Sequence, residues 1–127
     1  MVELIELSGP RMHIVFERPD SQRLIAKLRE GDITTDITGW RPEQAATDLL
    51  AALDAAKSEG YGECFWAEPT GQYWWMLKRE DRRVEVVVLY SRGGAMGWQH
   101  VFRAVDEVDY VQELIKAALA AHGLNGA

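Results

Sequence analysis

The residues with chemistry to offer are few and scattered. His13, His100, His122 and the single cysteine, Cys64, lie in four separate stretches. They form no H-x-x-x-H or C-x-x-C pair that would chelate a metal. His13 and Glu17 share one face of an alternating run, but at ~3.3 Å per residue they stand about 13 Å apart, too far to hold one ion. His122 falls at the end of a helical stretch, where it complements the negative pole of the helix. Neither a metal nor a cofactor is expected. Cys64, between Glu63 and Phe65, reads as a buried, inert thiol. Ser8 and Ser91 lack the G-x-S-x-G elbow of an activated serine. Asp32 with Asp36 and Glu80 with Asp81 read as solvated turn residues, and Asp106, Glu107 and Asp109 as helix capping. Gly93-Gly94-Ala95-Met96-Gly97 opens no helix and lacks the Lys-Ser/Thr of a phosphate loop, so a hairpin loop is expected there. The tip Lys78 to Arg83 reads the same way. With no convergent catalytic set, no catalytic residue is expected.

Binding leaves more to work with. Trp40 stands where a strand meets a helix, a loop position that often carries function and one from which it also can staple the helix start. Asp32 and Asp36 precede it on the polar side of their strand. Trp74, Trp98 and His100 belong to later strands, with His100 expected on the same face as Trp98 and Phe102. The expected surface is aromatic at its centre, from Trp40, Trp74, Trp98 and His100, and acidic at its edge, from Asp32 and Asp36. An acidic rim would speed encounter with a basic partner.

These residues must be positioned by a chain of 127 residues and 14.3 kDa, the size of one domain with a core of its own. Residues 1–123 are expected to form that domain and 124–127 a frayed tail. The 47% hydrophobic and 27% charged content is the ordinary globular mix and excludes a wholly disordered or disulfide-built chain. A formal charge of −6 disfavours nucleic acid as a partner, because neutralising phosphate needs a basic excess. No run approaches the ~20 apolar residues of a membrane span. The start alternates acidic and apolar residues, unlike a signal peptide. A cytoplasmic location is the default expectation.

Turn signals recur every 8–12 residues. Alternating runs predict strands over 2–7, 11–17, 33–38, 62–67, 72–79, 83–91 and 98–105. Residues 22–30 fit both a helix and a strand, and a strand hairpinned across Glu30-Gly31-Asp32 is the preferred reading. Helices are predicted over 42–58, with Pro42 in the first turn and Gly60 beyond its end, and from Asp106 or Glu107 to Ala121, with Asp106 as N-cap. The order ββββ-α-ββββ-α segregates strands from helices. It implies an α+β fold with a mainly antiparallel sheet of about six to eight strands and two helices on one face. The second-half strands carry bulk on both faces, and a strand apolar on both faces is usually buried on both. The face away from the helices therefore needs a cover: a curl of the first hairpins, a second copy in a homodimer, or another partner.

The run Asp32-Ile33-Thr34-Thr35-Asp36-Ile37-Thr38-Gly39-Trp40, followed by a Pro42-led helix, aromatic strands and a last helix, resembles small bacterial α+β proteins, among them immunity proteins of polymorphic toxin systems. The resemblance covers the order of elements over most of the chain and carries over no functional residue. It implies a non-enzymatic protein that binds another protein and blocks it. The alternatives are a small-molecule-binding domain or minor enzyme with an aromatic pocket near Trp98 and His100, and a structural homodimer.

Overall fold

The computed structural model describes residues 12–93 and 97–124. The strand expected over 2–7 and residues 125–127 of the expected tail lie outside them; Leu124, expected to fray, is instead buried in the core and donates its N–H to the Leu119 carbonyl at 2.9 Å, because its side chain packs back under the last helix. The order is β1 (Met12–Asp20), β2 (Arg23–Glu30), β3 (Ile33–Trp40), α1 (Pro42–Glu59), β4 (Tyr61–Glu68), β5 (Gly71–Glu80), β6 (Arg83–Ser91), β7 (Gln99–Glu107) and α2 (Val108–Ala120). The fold is α+β, as expected, and residues 23–30 are a strand. The strands form two antiparallel sheets rather than one, β1-β2-β3 and β4-β5-β6-β7. The break falls at α1, whose 18 residues separate β3 from β4, while β1–β2, β2–β3, β4–β5 and β5–β6 are each joined by a two-residue turn.

Local chemistry explains each boundary. Pro42 begins α1, Glu43 complements its positive pole, and Lys57 its negative one. Gly60 closes it at φ 96°, a left-handed conformation that a side chain would strain, and donates to the carbonyl of Ala56 at 3.0 Å. Asp106 is not the N-cap of α2. That position falls to Glu107, which makes no side-chain cap bond. Asp106 instead accepts from the N–H of Glu107 at 2.8 Å and from that of Met12 at 3.3 Å, tying β1 to the root of α2. The first helical N–H, of Val108, donates to the Arg82 carbonyl in the β5–β6 turn.

Both helices lie on one face of the four-stranded sheet, α1 along β4 and β5, α2 near β6 and β7 and against β1. The Ala-rich stripe of α1, including Ala45, Ala52 and Ala56, lets it approach closely. At Gly62 of β4 a side chain would overlap the backbone of Ala52. Trp66 and Trp75 pack beneath the helices with ring centroids 4.9 Å apart, and the Trp66 indole donates to the Ala45 carbonyl at 3.1 Å.

The three-stranded sheet adds Met12, Ile14, Phe16, Leu24, Ala26, Leu28 and Ile37 to this same core. β3 runs across the end of the larger sheet. Gly39 presses on the Trp66 ring, and the Thr35 hydroxyl donates to the Val101 carbonyl at 3.3 Å. The first hairpins thus close the core on the helix side. Among the described residues they do not curl over the opposite face, where Phe65 and Trp98 are exposed while Val87 and Leu89 at its centre are buried, each 8% exposed.

Candidate functional site

The alternation of β4 to β7 builds the open face. Cys64, Trp66, Trp75, Leu77, Val84, Val86, Val88, Phe102 and Ala104 are buried under the helices. Their neighbours in sequence point the other way. The antiparallel register arranges those neighbours in rows across β4, β5, β6 and β7. One row is Tyr61, Lys78, Glu85, Val105; the next is Glu63, Met76, Val87, Arg103; the third is Phe65, Trp74, Leu89, His100.

The third row contains a correction. Val88 pairs with Phe102, but Leu89 pairs with His100, so Val101 is an extra residue, a bulge in β7. A bulge reverses the facing of the residues on its far side. His100 therefore joins Leu89 on the outer side, while Phe102 lies in the core, 6% exposed. His100 and Phe102 do not share a face. His100 lines a shallow groove of about 240 Å³ with Glu30, Ile33, Val101, Phe102 and Arg103. Trp98 is not among the residues lining that groove, so the groove is not the aromatic pocket expected near the pair.

Trp98 lies with Phe65 and Trp74. The Phe65 and Trp74 rings are stacked at 5.5 Å and 19°, Trp98 meets Trp74 edge-on at 5.2 Å, and it sits 6.2 Å from Phe65. Phe65 is 46% exposed and Trp98 40%. Glu63 accepts from the Trp74 indole N–H at 2.8 Å and from the Tyr61 hydroxyl at 3.0 Å. Partial burial, reinforced by the Glu63 carboxylate, raises the Tyr61 pKa above the usual phenol value. These spacings decide what the cluster can do. Rings 5–6 Å apart fill the space between one another, which leaves no slot for a cation to enter between faces as in an aromatic cage. The cluster is a platform whose outer edges offer apolar area at low entropic cost, with one carboxylate at its margin.

The other expected binding residues lie elsewhere. Asp36, on β3, is held by Lys27 at 3.4 Å, and Lys27 also reaches Glu17 at 3.8 Å. Asp32 is exposed in the β2–β3 turn. Trp40, at the end of β3, makes no ring contact with Trp74 or Trp98 and lines a shallow depression with Ser21, Gln22, Arg41, Pro42 and Glu43. Of the six residues, the structure brings Trp74 and Trp98 into contact and sets His100 in the row of Trp74. Phe65 and Glu63 complete the platform without belonging to the expected set; the alternation of β4 is the only sequence signal that points to them.

Among the described residues little else assembles chemistry. Cys64 is buried, and desolvation, with lesser contributions from Asp48 and Glu63, drives its pKa far above that of a free thiol. Such a thiol is a poor nucleophile. Among the described residues no three His, Cys, Asp or Glu converge as metal ligands, and no helix is long and apolar enough to cross a membrane. Comparison with family models, with curated proteins and with solved structures finds no match.

Proposed function

We propose that this protein is a non-enzymatic protein–protein interaction module, of the immunity or accessory type, whose contact surface is the outer face of the four-stranded sheet. The observation that carries the reading is the Phe65–Trp74–Trp98 platform on a face that neither helix covers. A large exposed apolar patch is uncommon on a protein without a partner for it. Interfaces draw their affinity from such aromatic anchors, ringed by polar residues that exclude water. The outer face has that layout, with Lys78, Glu85 and Arg103 toward its other end.

The test is a pull-down from the source cells with the parent and a Phe65→Ser/Trp98→Ser variant. Val15→Ser, at an exposed position on β1, serves as control. A protein captured by the parent and the control, and lost in the double variant, is expected. Equal capture by all three would place the contact surface elsewhere.

A further inference from the structure

The charges on the outer face are distributed in a way that names an occupant. Across the line midway between β5 and β6, three pairs of charged positions face one another with opposite sign, each pair within a single row. Glu63 on β4 stands opposite Arg103 on β7 in the row of Met76 and Val87. Lys78 on β5 stands opposite Glu85 on β6, and Glu80 opposite Arg83. Among the described residues, Lys78, Glu80, Arg83 and Glu63 form no ion pair within the chain; the one pair on this face is Arg103 with Glu85, at 2.5 Å.

We infer that the outer face binds a second copy of the chain, related by a two-fold axis parallel to the strands and lying midway between β5 and β6. The inference rests on the interaction reading and gives that face its partner. Rotation about this axis exchanges β4 with β7 and β5 with β6. Glu63 then meets Arg103 of the other copy, Lys78 meets Glu85, Glu80 meets Arg83, and Met76 meets Val87. Each contact occurs twice, as isologous symmetry requires. A two-fold axis perpendicular to the strands through the Glu63 row would instead set Glu63 on Glu63 and Arg103 on Arg103, and is excluded by like-charge repulsion. Face-to-face sheets with strand directions kept also satisfy the aligned packing that sheet twist favours.

The size of the contact sets its strength. Strand spacings of ~4.8 Å and rows ~6.7 Å apart give a footprint of about 20 by 25 Å with side chains, or roughly 500 Å² per copy. About 1,000 Å² in total lies at the low end of specific interfaces. A weak, reversible dimer is therefore expected.

Sedimentation velocity on the intact chain, from 1 to 300 μM, tests this with charge exchange. The parent should move from 14.3 kDa toward twice that mass. Glu63→Lys alone faces its own Arg103, and Arg103→Glu alone faces its own Glu63, so each should dimerise at least tenfold more weakly. Mixed one to one, the two variants recover both attractive contacts and should pair within about threefold of the parent. Should either variant melt early, Glu80→Lys mixed with Arg83→Glu makes the same comparison at the hairpin tip. A parent that is monomeric throughout, variants that dimerise as the parent does, or a mixture of folded variants that stays monomeric overturns the two-fold pairing. A monomeric parent that still loses a captured protein in the Phe65→Ser/Trp98→Ser comparison removes the self-pairing and leaves the interaction reading standing.

Discussion

Gly62 is where the fold has least room. A Cβ built there lies 1.9 Å from the carbonyl oxygen of Ala52 and 2.7 Å from its carbon. Ordinary contact begins near 3.4 Å, so Gly62→Ala must open the gap by about 1.5 Å. The obstructing atoms are backbone in the middle of α1, which cannot rotate aside as a side chain would. The helix must lift off β4 as a unit, carrying Leu49, Ala52, Leu53 and Ala56 with it. A gap of even 0.5–1 Å forfeits a quarter to a half of each dispersion contact. Overpacking ordinarily costs ~1–3 kcal/mol, and this geometry puts Gly62→Ala at or above the upper end, at least about 3 kcal/mol. For a domain of this size that is a fall in Tm of about 10–15 °C, read by circular dichroism or calorimetry. Gly31→Ala is the control. It has φ 63° and nothing within 4 Å, so only the left-handed penalty of ~1–2 kcal/mol applies. Gly62→Ala melting within 2 °C of the parent, or above Gly31→Ala, would show that α1 does not sit on β4 as described.

Trp75 is fully buried against Trp66, so Trp75→Ala should cost about 3–5 kcal/mol in denaturant unfolding. Among the described residues its buried indole N–H meets no hydrogen-bond partner. Trp75→Phe removes that donor and keeps most of the ring, and should cost clearly less than the alanine variant; equal losses would refute the packing assigned to the ring. The Cys64 thiol should resist a thiol reagent at pH 8 in the folded protein and react at once in denaturant, and rapid native-state labelling would place it at the surface. Its raised pKa carries a sign. Below the unfolded value, near 9.0, both states hold the proton and the contribution to stability is complete. As pH climbs above 9 the unfolded thiol ionises first, and stability falls by up to ~1.4 kcal/mol per unit. Urea titrations between pH 8 and 10 should show a shallower fall in Cys64→Ala, and identical slopes would refute the assignment. Tyr61 and Tyr73, also raised by burial, contribute the same direction in both proteins and cancel in the comparison.

Strand and helix identities were legible in the sequence because they are local. Alternation marked the strands, Pro42 and Gly60 bracketed α1, and the period of Val111, Ile115 and Leu119 marked α2. Burial of Trp75 and Cys64 followed from strand parity, and so did the outward facing of Trp74. Parity fails wherever one residue is inserted. Nothing local in Gln99 to Phe102 announces that Val101 is a bulge, and that residue alone moved His100 away from Phe102. The division into two sheets was also hidden, because it depends on β3 crossing the end of the larger sheet, where Thr35 reaches Val101 and Gly39 meets Trp66. The platform itself joins Phe65, Trp74 and Trp98 from β4, β5 and the approach to β7. The sequence determined which way each of those rings would face. Only tertiary register decided that they touch, that Glu63 rather than Asp32 or Asp36 borders them, and that acid stands opposite base across the sheet, since side chains far apart along the chain become neighbours only when the strands pair.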